Sequence, residues 1–235
     1  AAAAGAVFER GGVMSLFVIG DLHLSLGGDK PMDIFGGWDN YVERLETNWR
    51  RTVADDDTVM IPGDISWAMS LNGAVTDFTF INALPGKKII SKGNHDYWWT
   101  TMSKMEKFLD ENNFSTIRIL HNKHYEYNGY GICGTRGWIN ENGEPADAKV
   151  LAREAQRLEV SIASAEKAGL EPLVFLHYPP VYGTSCNYSI LEVLHRHGIK
   201  RCWYGHIHGK SCSYAINGVR DGIDFRLISS DYVQF

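Results

Sequence analysis

Hydrophobic and polar positions along this chain fall into short apolar runs, each of which stops at Asp, Asn or His. The runs are Leu16-Phe17-Val18-Ile19, Val59-Met60-Ile61, Ile89-Ile90, Leu173-Val174-Phe175-Leu176 and Cys202-Trp203-Tyr204. They end in Asp21/His23, Asp64, Asn94/His95/Asp96, His177 and His206/His208. A short apolar run bounded by turn residues reads as a buried strand. Helical spacing covers residues 39–53, with Tyr41, Leu45 and Trp49 on one face and Asp39 or Asn40 as N-cap. It recurs over 74–83, stopped near Pro85-Gly86, and over 101–112, with Met102, Met105 and Leu109 aligned.

Beyond that point the pattern becomes strand-rich. Residues 116–120, 124–128 and 130–134 read as strands, with Asn128-Gly129 as a hairpin turn. Helices are expected over 146–168 and about 188–197, then strands over 201–205, 211–216 and 223–229, with turns at Asn217-Gly218 and Asp221-Gly222. Two mixed sheets packed together, with helices outside, would bury this set of elements in one α/β domain. In open α/β sheets ligands bind beyond the carboxyl ends of the strands, so the polar clusters should meet along one edge.

With 235 residues, the chain is long enough for one large domain. The formal net charge of −5 makes nucleic acid an unfavoured partner, because that binding needs clustered Lys and Arg. No stretch has the length and apolarity of a membrane span. Cys133, Cys186, Cys202 and Cys212 show no Cys-x-x-Cys spacing and read as reduced thiols of a cytoplasmic protein. Residues 1–13 lack the features of a secretory signal. They are expected to be a non-native or loosely held leader, with the native start near Met14 and a single domain over 14–235.

The chemistry of the clusters narrows the picture. Asp21 and His23, two apart in an extended segment, lie on one side and can share a cation. Gly63-Asp64 sets a carboxylate at a tight turn, where two anionic oxygens can bridge two cations. In Gly93-Asn94-His95-Asp96, the Asn amide is a hard neutral ligand. His95 points elsewhere and can donate a proton or hydrogen bond to a substrate oxygen, with Asp96 holding its imidazole. His177 closes an apolar run, and His206 and His208 sit two apart between glycines, the strongest local metal signal. Any one cluster alone would read as a capping carboxylate or a satisfied core histidine. Together they provide too many ligands for one ion. Mixed oxygen and nitrogen ligands for two ions roughly 3.5–4 Å apart are the pattern of two-metal phosphate-ester hydrolysis.

The ordered set Asp21-x-His23, Gly63-Asp64, Gly93-Asn94-His95-Asp96, His177 and Gly205-His206-x-His208 resembles the calcineurin-like metallophosphoesterases. That resemblance implies a four-layer α-β-β-α sandwich and a hydrolase of phosphomonoesters or phosphodiesters. It implies that Asp21, His23 and His208 bind one metal, that Asn94, His177 and His206 bind the other, and that Asp64 bridges them. A hydroxide between the metals would then attack phosphorus, while His95, oriented by Asp96, stabilises the transition state or protonates the leaving oxygen. Manganese, iron and zinc all fit the ligand types, with the oxygen content favouring manganese or iron. Ile207 stands where many relatives carry a small or hydroxyl residue.

Arg136, after another strand, is a candidate phosphate clamp, with a surface ion pair as the alternative. Trp98 and Trp99 can wall the site, at least one of them serving as core. The 26–38 loop either covers the site or is a surface connection. A small, nucleotide-like phosphorylated substrate is the expected partner. The alternatives are a catalytically silent scaffold on the same fold and a nuclease.

Overall fold

Period-two alternation in the strands gives each sheet two apolar faces. The computed structural model describes residues 6–9, 14–138 and 148–235. The first sheet has the order β1 (Ala6–Glu9), β2 (Ser15–Val18), β3 (Thr58–Pro62), β4 (Lys87–Ser91) and β5 (Ile117–Ile119), with only β1 antiparallel to its neighbour. The second contains β6 (Tyr125–Tyr127), β7 (Tyr130–Thr135), β8 (Glu171–Leu176), β11 (Arg201–Tyr204), β12 (Gly218–Arg220) and β13 (Ile223–Leu227). Its order is β12-β13-β11-β8-β7-β6, with the inner four strands parallel and the edge strands antiparallel. A small hairpin, β9 (Val181–Tyr182) and β10 (Ser185–Cys186), lies apart from both sheets.

The layering follows from which residues pack together. Leu16, Val18, Met60 and Ile89 of the first sheet meet Ile132, Leu173, Phe175 and Trp203 of the second in one buried cluster. The alternate residues Phe17, Val59, Ile61 and Ile90 face α1 (Tyr41–Thr52), α2 (Val75–Ala83) and α3 (Met102–Glu111). Val174, Leu176, Cys202 and Tyr204 pack with α4 (Ala148–Lys167) and α5 (Tyr188–Arg196). The molecule is therefore a four-layer α-β-β-α sandwich, closed at the C-terminus by the short α6 (Ser230–Val233). No helix among the described residues is long and apolar enough to cross a membrane. All four cysteines are free thiols.

Several local expectations hold with changed detail. Asn40 is the N-cap of α1, but it sits in the left-handed region and its side chain makes no capping bond. The Asn128-Gly129 and Asp221-Gly222 pairs have positive φ at both residues, as a type I′ turn requires. The expected strand over 211–216 is instead a 3₁₀ turn, Gly209–Tyr214. Lys210, Ser211 and Ser213 there stay exposed, and Ser213 Oγ donates to Lys210 O, so local bonds replace a ladder. The edge strand begins later, at Gly218. Ala6–Glu9 pair with β2, a strand the patterning did not indicate. The rest of the expected 1–13 leader, and residues 146–147 of the long helix, lie outside the described residues.

Candidate metal centre

All seven expected ligands come from segments just beyond the carboxyl ends of β2, β3, β4, β8 and β11. The chain leaves several of these strands through unusual backbone. Asp21, His23, Asp64 and His206 all have positive φ, between 46 and 71°. Non-glycine residues rarely hold this conformation, which concentrates at functional sites. Two glycines make room for the carboxylates. A Cβ on Gly205 would overlap Asp21 Oδ2, and one on Gly93 would overlap Asp64 Oδ1.

The side chains gather into two groups. Asp21, His23 and His208 form one, with His23 Nε2 3.4 Å from His208 Nε2 and Asp21 Oδ1 3.8 Å from His208 Nε2. His177 and His206 form the other together with Asp64 and Asn94. Asn94 Oδ1 lies 2.6 Å from His177 Nε2 and 3.0 Å from His206 Nδ1. Asp64 Oδ2 stands between the groups, 3.6 Å from His23 Nε2 and 3.6 Å from His177 Nε2. Its other oxygen, Oδ1, accepts the His95 backbone N–H at 2.8 Å, which fixes the carboxylate.

The donor set fits cations. Burial and neighbouring imidazoles hold His23 and His177 well below the usual histidine range, and push His206 down to about 2. Neutral imidazole is the form that ligates a metal. His177 Nδ1 lies 3.2 Å from Pro62 O, so the ring proton belongs there and Nε2 turns a lone pair toward Asn94. Lone pairs that close need a positive centre between them. Burial, with Asp64 nearby, raises Asp21 to about 7, and burial raises Asp64 to about 6. Two buried carboxylates with weakly compensating neighbours are what a bound cation would relieve.

Asp96 does not play its expected part. Its carboxylate is 1% exposed and accepts the backbone N–H groups of Asp64 (2.9 Å), Ile65 (2.8 Å), Ser66 (3.3 Å) and Gly93 (2.7 Å), and the Trp98 indole (3.0 Å). Those bonds occupy both oxygens and lock the loop carrying Asp64 to the loop carrying Asn94. The His95 ring is instead held by Tyr97, whose hydroxyl lies 3.2 Å from Nδ1, and by Trp67, 4.4 Å away between centroids.

Three contributors carried no sequence signal. Asp231 Oδ1 is 2.8 Å from His208 Nδ1, so it orients that ring and its Nε2. Burial pulls His208 down, but the Asp231 hydrogen bond and the Asp21 charge outweigh it and raise its pKa. Trp67 stacks on His23 at 5.0 Å, and Tyr97 is described above. Asp231 lies in α6, far along the chain from the motifs, and Trp67 lies in a loop with no periodicity to interpret.

The remaining candidates divide. Trp98 is core, 2% exposed and edge-on to Phe78, whereas Trp99 is half-buried. The 26–38 loop reaches the candidate ligands through Trp38. Trp38 packs 5.7 Å from both His23 and His208, and Lys30 Nζ sits 4.5 Å over Trp67. Arg136 stacks over Trp138 and lies 3.8 Å from the buried Glu154 carboxylate. It is therefore more than a surface ion pair, and it lines a cavity with Lys92 and Arg157. Burial, with Arg136 and Arg157 nearby, holds Lys92 below the usual lysine range.

Among curated proteins none matches the chain. Among solved structures, a protein of unknown function from Aquifex aeolicus is similar at 16% identity over 94% of this chain and 92% of its own, with a TM-score of 0.47. A phosphopantetheinyl hydrolase from Mycobacterium tuberculosis is similar at 14% identity over 94% and 91%, with a TM-score of 0.50. A sequence model of the calcineurin-like phosphoesterases matches residues 14–210, a span that takes in every ligand cluster described above. The chain belongs to the calcineurin-like phosphoesterase family.

Proposed function

We propose that this protein hydrolyses a phosphomonoester or phosphodiester at a centre of two metal ions. The observation that carries this reading is Asp64 Oδ2, 3.6 Å from a ring nitrogen of each ligand group. Asp21, His23 and His208 would hold one ion, Asn94, His177 and His206 the other, and Asp64 both. The ions, when bound, supply Lewis-acid polarisation of the phosphoryl oxygen and activation of water.

The chain's own groups do the rest. Asp64 is fixed through Oδ1, and Asp231 and Pro62 O set the tautomers of His208 and His177. Burial, aided by Lys30, outweighs attraction from Asp64 and holds His95 below the usual histidine range. His95 is then a neutral imidazole. With Tyr97 OH donating to Nδ1, its Nε2–H is left to hydrogen-bond the leaving oxygen. The ester P–O bond breaks as a water oxygen bonds to phosphorus, and the leaving oxygen takes up a proton. Trp38, Trp67 and the 26–38 loop shield the ligands from bulk water on one side.

The test loads the protein with manganese, iron or zinc and supplies a chromogenic phosphomonoester and phosphodiester. Metal-dependent turnover is expected, falling by about 10²-fold or more in Asp64→Asn and His95→Ala. Metal analysis should give two ions per chain, and fewer in Asp64→Asn. Turnover no higher than that of His95→Ala with every metal would overturn the reading. A phosphopantetheinyl ester belongs in the substrate panel, since a hydrolase of that name shares the fold.

A further inference from the structure

A cavity of about 370 Å³ opens between the carboxyl ends of β4, β5 and β7 and the flank of α4. Ser91, Lys92, Arg136, Glu154 and Arg157 are among its lining residues, and none of the seven candidate ligands nor His95 is. It is nevertheless next to the metal centre. Lys92 is two residues before Asn94, a Cα separation of about 7 Å at most. Thr135 pairs with Leu176, so Arg136 and His177 follow as neighbours on adjacent strands, about 5 Å apart.

The lining has excess positive charge. Among the described residues, Lys92, Arg136 and Arg157 face a single carboxylate, Glu154, which is fully buried. Glu154 is already engaged, accepting from Thr135 Oγ1 at 2.6 Å and from Arg157 Nη1 at 2.7 Å. Three cations against one anion leave two positive charges uncompensated within the lining. Two buried polar atoms of the same lining, Ser91 Oγ and Arg136 Nε, have no hydrogen-bond partner among the described residues. Ser91 is 1% exposed. Buried polar groups without partners are costly, and an oxyanion in the cavity would offset the positive charge beside them.

We propose that this cavity receives a second anionic group of the substrate, a phosphate or a carboxylate, while the scissile phosphate occupies the metal centre. This rests on the phosphoesterase reading and narrows it to substrates with two anionic groups within roughly 10 Å of each other. Lys92, Arg136 and Arg157 then set specificity, while Glu154 holds Arg157 and Arg136 in place.

Equilibrium binding tests this without relying on turnover. Calorimetry compares adenosine 5′-monophosphate with adenosine 3′,5′-bisphosphate, and glycerol 3-phosphate with 3-phosphoglycerate, on the metal-loaded His95→Ala protein. The doubly anionic member of at least one pair should bind about tenfold or more tightly, and which pair responds tells phosphate from carboxylate. The preference should shrink toward unity in Lys92→Met and in Arg157→Gln, each checked for an unchanged unfolding transition. If only one of those variants folds, that one decides. Equal affinity within both pairs would overturn the proposal, as would a preference that survives in the variants. Failure of the phosphoesterase reading would show differently, as absence of metal-dependent phosphate release by the wild-type protein.

Discussion

Asp96 illustrates how a carboxylate inside a motif can hold the surrounding loops rather than the ring beside it. Its neighbour His95 suggested an acid with an orienting carboxylate, yet the Asp96 oxygens hold the loops that present Asp64 and Asn94. Asp96→Ala would strand several buried N–H groups, so a loss of more than about 3 kcal/mol is expected in chemical denaturation. A variant with full stability and only lowered activity would restore the orienting role. Asp231 is the converse, a positioning residue that no local pattern revealed. Asp231→Asn should weaken metal binding about 10–100-fold, read by competition with a chelator, because the His208 ring loses its anionic partner. The seven candidate ligand positions stand out in the sequence because metal chemistry admits few residue types and each follows an apolar strand. Tyr97, Trp67 and Asp231 act through contacts between segments distant in sequence or in irregular loops, and periodicity carries no trace of those.

At the scale of elements, legibility followed the strength of burial. Strands with alternating apolar residues on two buried faces, such as β3 and β8, were placed within a residue or two. Segment 211–216 failed because its polar residues bond locally, and β9, β10 and α6 are too short to show a period. α4 and α5 are joined by His197, whose ring lies 2.9 Å from Glu166 and 2.8 Å from Glu159. Burial lowers its pKa, but the two carboxylate hydrogen bonds outweigh that and raise it above 6.5. A raised folded-state value means the stabilisation is complete below the unfolded pKa and disappears as pH rises through the folded one. His197→Gln should therefore cost about 0.5–1 kcal/mol near pH 6 and almost nothing near pH 9, measured by urea denaturation at both. Equal cost at both would mean that packing, not charge, joins the helices.

The whole molecule depends on the layer between the sheets, where Phe175 of β8 stacks on Trp203 of β11 at 4.9 Å. Phe175→Ala should destabilise by about 3–5 kcal/mol in chemical denaturation, since both sheets are anchored around the cavity it leaves. That layer also governs the candidate metal centre, because β2, β3 and β4 lie in one sheet and β8 and β11 in the other. His23 and His208, 3.4 Å apart in space, are separated by 185 positions of chain, and Asn94 and His177 by 83. Closing such long loops comes late in folding. A partly folded chain presents only half a ligand set, so ions have little to grip until the sheets have docked. Metal should accordingly act as a late clasp. In stopped-flow experiments manganese should slow unfolding in proportion to the stability it adds, and leave the refolding rate nearly unchanged. Refolding accelerated to the same extent would instead place the centre in the folding nucleus.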